Sequence, residues 1–145
     1  ALWQNGIGAV LPDAELAGLD AAQATLALIA GLDIDWVIPG HGAPFADVPQ
    51  AIDRAQRKLA QMRADPQFWA LSLFKSLLLF NLLERQQMPL AQLPAYLQAL
   101  PLFRQAGRLL PPMAPTNLAE QVLQPLLAAR LIACRGGMLR PLIVA

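Results

Sequence analysis

The sequence predicts an α+β protein, predominantly helical, built as two modules. Three observations predict it. Residues 1–64 read as helix, glycine turn, short apolar run and glycine-flanked loop, the order of an α/β element. Residues 65–145 read as three helices followed by a β-hairpin. The charge changes sign between them: residues 1–65 hold eight acids and four bases, net −4, and residues 66–145 hold seven bases and two acids, net +5. Such a shift marks modules of different character.

Composition narrows the class. The 145 residues are 56% hydrophobic and 14% charged, against about 45–50% and about 25% in an ordinary soluble domain. Mean hydropathy is +0.41. A free-standing domain of this size does not need so much apolar surface. The chain is therefore a membrane protein, an obligate oligomer, or part of a larger protein whose further chain covers its apolar faces. Phe68 to Leu83 is the longest apolar stretch, but Ser72, Lys75, Ser76 and Asn81 interrupt it. A span needs roughly 20 nearly uninterrupted apolar residues. Ser72, Lys75 and Ser76 share one helical stripe, which predicts a core helix with a wet edge and no membrane partner. Ala1-Leu2-Trp3 carries no initiator methionine and no signal-like segment, and reads as a start in mid-element. Two partners are expected: an N-terminal part of the same protein, and a second copy joined through apolar surface. The single Cys134 excludes an internal disulfide and suits a reducing cytoplasm. With no second histidine to activate it, it reads as a hairpin residue and not a nucleophile.

In chain order, residues 1–12 hold an apolar segment with Gly6 and Gly8, a loop or irregular strand. Asp20 and Gln23 have capping-box spacing before Ala24 to Ile29, and Gly31 is placed to end that helix in the left-handed conformation. Residues 34–38, Ile-Asp-Trp-Val-Ile, read as a short buried strand. Asp47 and Gln50 again have capping-box spacing and open a helix with Ile52, Ala55, Leu59 and Met62 on one face. Asp53 and Arg57 are spaced to pair on its outside.

Asp65-Pro66 is a cap followed by proline at the first helical position, and a long helix should run to about Glu84. Met88-Pro89 restarts the chain. Leu90, Leu93, Leu97 and Leu100 mark a shorter helix with Pro94 in its first turn. Leu102 to Leu110 holds a short helical piece. Pro111-Pro112 and Pro115 stiffen a linker. Thr116 or Asn117 caps a helix through Leu131, in which Pro125 predicts a kink or a frayed start. Leu131 to Cys134 and Met138 to Val144 then form a hairpin about Gly136-Gly137. Three helices with a two-stranded wing make a winged-helix arrangement.

The functional candidate is Pro39-Gly40-His41-Gly42. His41 is the sole histidine of the chain and follows the apolar run directly. A strand end holds a side chain rigidly, and flanking glycines admit a backbone, metal or substrate. Imidazole is the commonest metal ligand and the usual acid or base near neutral pH. One histidine alone makes neither a zinc site nor a catalytic apparatus. Asp33 and Asp35 lie too far along an extended chain to complete it, at about 3.3 Å per residue, and Asp47 reads as a helix cap.

Trp36-Val37-Ile38-Pro39-Gly40-His41-Gly42, followed by a loop and a helix with Asp53-Arg54 and Arg57, resembles the C-terminal part of a metallo-β-lactamase-fold hydrolase. The resemblance covers residues 1–64. It implies the end of an αββα sandwich, with His41 as a ligand of the second zinc of a two-metal site. Leu2-Trp3-Gln4-Asn5-Gly6 resembles the segment after that family's metal-bridging Gly-Asp pair, which would precede Ala1 together with the remaining ligands. The implied activity is hydrolysis of an ester, thioester or phosphodiester by metal-activated water. This chain alone would hold no catalytic residue and would be inactive. A winged-helix-like tail resembles one branch of the superfamily, with endoribonucleases and thioesterase-like relatives.

A nucleic-acid-binding or protein-interaction module is the alternative. The basic second half and Arg130, Arg135 and Arg140 near the hairpin motivate it. The helix before the hairpin offers only Gln121, Gln124 and Arg130 for base edges, and a net +5 neutralises few phosphates. Packing on a hydrolase core, shaping a substrate rim or dimerising is the favoured role of that module.

Overall fold

The computed structural model describes residues 2–4, 6–12, 16–40 and 42–142. The fold is α+β and mostly helical, with two small antiparallel sheets. The chain divides into two compact units, Ala1–Trp69 and Ala70–Ala145. The change of unit falls inside a helix, α3 (Pro66–Arg85), a few residues after the change of charge at Asp65-Pro66.

In the first unit, β1 (Leu2–Trp3) pairs with β2 (Gly6–Ile7), Leu2 opposite Ile7 and Trp3 opposite Gly6. Two helices follow, α1 (Ala17–Ala30) and α2 (Val48–Ala64). The apolar positions of α2 recur at the helical period, and Val48, Ala51, Ile52, Ala55, Leu59 and Met62 are all buried. The Trp69 indole, at 2% exposure, donates to the Val10 carbonyl at 2.9 Å. That bond satisfies a polar edge that burial would otherwise penalise. Arg63 pairs with Asp20 and ties α2 to α1.

Several sequence expectations for this unit fail, each for a local reason. Residues 34–38 do not form a buried strand. Trp36 is 64% and Ile38 83% exposed, and a strand needs a partner along its length to satisfy its backbone. Among the described residues only Val37 finds one, in a bridge to Phe45. Gly31 ends α1 in right-handed geometry, φ −82°, with its N–H shared among the last carbonyls. Neither capping box forms. Helix α1 begins at Ala17, before Asp20, and Asp47 turns its carboxylate to Arg54 instead of to the α2 N-terminus. Asp53 and Arg57 make no ion pair, an exposed pairing of small value at best.

Beyond Asp65 the expected helices and hairpin form, joined by a short strand at Met88–Pro89 where the sequence predicts only a restart of the chain. After α3 come β3 (Met88–Pro89), a 3-10 turn over Leu90–Gln92, α4 (Leu93–Ala99), α5 (Phe103–Gly107), α6 (Pro115–Ala128), β4 (Ile132–Arg135) and β5 (Met138–Pro141). Asp65 caps α3 as expected, its Oδ1 accepting from the Phe68 N–H at 3.0 Å. Pro94 sits in the first turn of α4. The cap of α6 is Ala114, not Thr116 or Asn117. Pro115 takes the first helical position, where its missing N–H costs nothing, and the helix continues through Pro125.

The sheet order is β3-β5-β4, antiparallel throughout, so the strand before α4 pairs with the last strand of the chain. Gly136 and Gly137 make the β4–β5 turn with φ of 57° and 72°. Two successive positive φ angles define the type I′ turn that matches hairpin twist. The core gathers Phe74, Leu78, Leu82, Leu93, Leu97, Val122, Ile132 and Leu139, all below 2% exposure. Each such side chain contributes about 1.5–3 kcal/mol on burial.

Helix α3 is long and apolar enough to cross a membrane by length and composition, yet half of that stretch is buried within the protein. Its polar stripe is drier than expected. Ser72 is only 3% exposed, and burial lowers the Lys75 pKa below its ordinary value.

Candidate functional site

The Pro39-Gly40-His41-Gly42 segment lies in a loop closed at its base by one residue pair. Val37 donates to the Phe45 carbonyl at 2.9 Å, and Phe45 returns the bond at 3.0 Å. Phe45 is 3% exposed and Val48, at the start of α2, 4%. The loop is thus anchored on its C-terminal side in the first unit's core. Gly42 has φ +92°, a conformation that side chains with a Cβ rarely adopt, and among the described residues, chain neighbours aside, no atom lies within 4 Å of the Cβ position of Gly40 or Gly42. The surroundings of both glycines are open. His41, the proposed ligand, lies outside the described residues.

A second constellation, missed by sequence reasoning, sits at the start of α2. Arg54 donates from Nη2 to Asp47 Oδ2 at 2.7 Å and from Nε to the Gln4 carbonyl at 2.8 Å. Hydrogen bonding from Arg54 holds the Asp47 carboxyl below its ordinary pKa of 3.8. Lys58, one turn on, donates to the Ile7 carbonyl at 2.9 Å. The β1–β2 hairpin is therefore held to α2 by two cations reaching its backbone. The Asp47–Arg54 spacing of seven, two helical turns, was the only signal in the sequence.

The other acids do not join the loop. Asp33 and Asp35 are exposed, and Asp47 is committed to Arg54. Among the described residues, no group of three or more His, Cys, Asp or Glu side chains could hold a metal ion. Zinc takes three or four protein ligands. The described residues therefore do not by themselves fit a two-zinc centre. Cys134 is exposed.

In the second unit, α6 turns Thr116, Asn117, Glu120, Gln121 and Gln124 to solvent and carries no lysine or arginine. Arg135 and Arg140 are exposed on the β4–β5 hairpin, and Arg140 donates to Gln87 Oε1 at 3.1 Å. A pocket of about 420 Å³ opens near α5, lined in part by Phe103, Arg104, Arg108 and Met113. No protein-family model, no curated protein and no solved structure matches this chain.

Proposed function

We propose that the chain forms the C-terminal part of a metallo-β-lactamase-fold hydrolase and ends in a winged-helix-like unit. The parent activity is hydrolysis of an ester, thioester or phosphodiester by metal-activated water. The observation that carries this reading is the Val37–Phe45 pair, which gathers the two ends of the Pro39-Gly40-His41-Gly42 segment at the foot of α2. A loop pinned at its base and open around its glycines suits a metal-ligand position. The α3-β3-α4-α6-β4-β5 order with sheet order β3-β5-β4 supports the winged-helix-like half.

In this reading His41 supplies one zinc ligand, and the remaining ligands come from other chain. That chain, or a second copy, also covers the apolar surface at Leu28, Leu32, Trp36 and Ile38, all more than 60% exposed. A cytoplasmic setting suits the lone exposed Cys134.

Metal analysis and turnover test the reading. The chain alone should bind zinc weakly, lose that binding in His41→Ala, and hydrolyse none of p-nitrophenyl acetate, a thioester or bis(p-nitrophenyl) phosphate. Joined to whatever its gene encodes before Ala1, it should hold two metal ions tightly and hydrolyse one of these classes. Tight two-zinc binding with turnover by the chain alone, or a metal-free longer protein, would sink the proposal.

A second reading for the winged-helix-like unit is contact with protein rather than nucleic acid. The absence of lysine and arginine from α6 favours it, since a base-reading helix presents several such groups. Anisotropy titration with duplex and single-stranded oligonucleotides at two salt concentrations should show only weak, salt-sensitive, sequence-indifferent binding. Salt-resistant, sequence-selective binding would reverse the choice.

A further inference from the structure

The pocket beside α5 lies wholly within the second unit, so its chemistry stands apart from the metal reading of the first. Its volume of about 420 Å³ falls in the range of small-ligand sites. Phe103, Leu110, Met113 and Leu118 supply apolar lining, and Gln98 an uncharged polar group. Phe103 is held by a tilted ring contact with buried Phe74, centroids 6.0 Å apart. The wall runs through Pro111, Pro112 and Pro115. Proline fixes φ and removes the N–H, so this wall is stiff and offers few donors.

Arg104 and Arg108 are the charged groups lining the pocket. They are four residues apart along a helical turn, which sets them on one face. Among the described residues neither side chain makes a hydrogen bond or an ion pair, in contrast to those of Arg54 and Arg63. No acid lines the pocket. Two like charges beside apolar lining, with no acid among the lining residues, complement an anion that carries an apolar body. A guanidinium matches carboxylate and phosphate oxygens with two parallel donors. The thioether of Met113 adapts to the shape of what lies on it.

We propose that this pocket binds a small amphipathic anion, an acyl or alkyl chain ended by a carboxylate or a phosphate. The chain lies on Phe103, Leu110, Met113 and Leu118, and Arg104 and Arg108 hold the head group.

Titration of the full chain with decanoate, decyl phosphate and neutral 1-decanol tests this, with calorimetry for affinity and amide chemical shifts for location. At least one anion should bind, with shifts at Phe103, Gly107 and Met113, and decanol should bind at least about tenfold more weakly. Arg104→Ala and Arg108→Ala should each cost about tenfold in anion affinity, while Arg135→Ala on the hairpin changes nothing. Both arginines are exposed, so the variants should keep the circular dichroism of the parent. The tighter anion identifies the head group. Equal affinity for decanol, unchanged binding in folded arginine variants, shifts confined to other surfaces, or no binding of either anion would overturn the assignment. In the last case, capture of an acidic helical peptide at the same amides would assign the groove to a protein partner instead.

Discussion

Arg54 joins Asp47 at 2.7 Å and the Gln4 carbonyl at 2.8 Å, so one guanidinium holds both the start of α2 and the β1–β2 hairpin. Arg54→Ala should release the hairpin. Amide exchange at Leu2, Trp3 and Ile7 should accelerate, and the thermal midpoint of the first unit should fall by several degrees. Arg54→Lys should rescue only part of the loss, because a single ammonium cannot reproduce the fork. Unchanged exchange in Arg54→Ala would show that Lys58 alone secures the hairpin.

The same pair sets an acid limit. Asp47 is held below its ordinary 3.8 by the Arg54 hydrogen bond. A depressed carboxyl pKa contributes stability above the unfolded value, and that contribution is lost as pH falls through the folded one. The Asp47 carboxyl carbon should titrate below 3.8 in the parent and return toward that value in Arg54→Ala.

Tyr96 is the sole tyrosine of the chain, so phenolate absorbance reports on it alone. Burial raises its pKa above 10.0, with Arg85 opposing, and its hydroxyl donates to the Leu77 carbonyl at 3.1 Å. Its contribution is therefore complete below about pH 10 and is lost as pH rises through the folded value. The absorbance midpoint should lie above 10.0 in the folded protein and drop to the ordinary value in denaturant.

Trp69→Phe should cost about 1–3 kcal/mol in chemical denaturation, because it strips the Val10 carbonyl of its donor while leaving an aromatic in place. A loss under about 0.5 kcal/mol would mean that water replaces the indole.

The type I′ turn separates backbone strain from crowding. Among the described residues, chain neighbours aside, no atom lies within 4 Å of the Cβ position at Gly136, whose φ is +57°. Gly136→Val should cost about 1–2 kcal/mol through the left-handed backbone alone. Gly136→Asn, which tolerates that region, should cost far less. Equal losses would point to the side chain meeting something in solution.

The chain from Asp65 onward was legible because its signals are local. Asp65-Pro66 caps α3, Pro94 opens α4, and Gly136-Gly137 turns the hairpin; each acts on the backbone within a few residues. The first unit was less legible because its elements depend on partners distant in sequence. The apolar run at 34–38 has strand composition but pairs only through Val37, and Asp47 has a cap's position but is drawn to Arg54 two turns on. The β3–β5 pairing that completes the second sheet joins Met88 to Leu139 across some fifty residues, a separation that no local rule reads. Around the candidate loop, the helix that anchors it was legible; the Gln4–Arg54–Asp47 clamp and the arginine-rimmed pocket were not, since both join residues brought together only by the fold.

The exposed run at residues 34–38 also bears on solubility. An apolar, β-prone segment with an unpaired edge is a template for intermolecular strand growth. Asp33 precedes it, and Asp35 interrupts the apolar run. Charges in that position follow the pattern of gatekeeper residues beside an apolar strand-like segment. A partner that covered Trp36 and Ile38 would make such charges unnecessary.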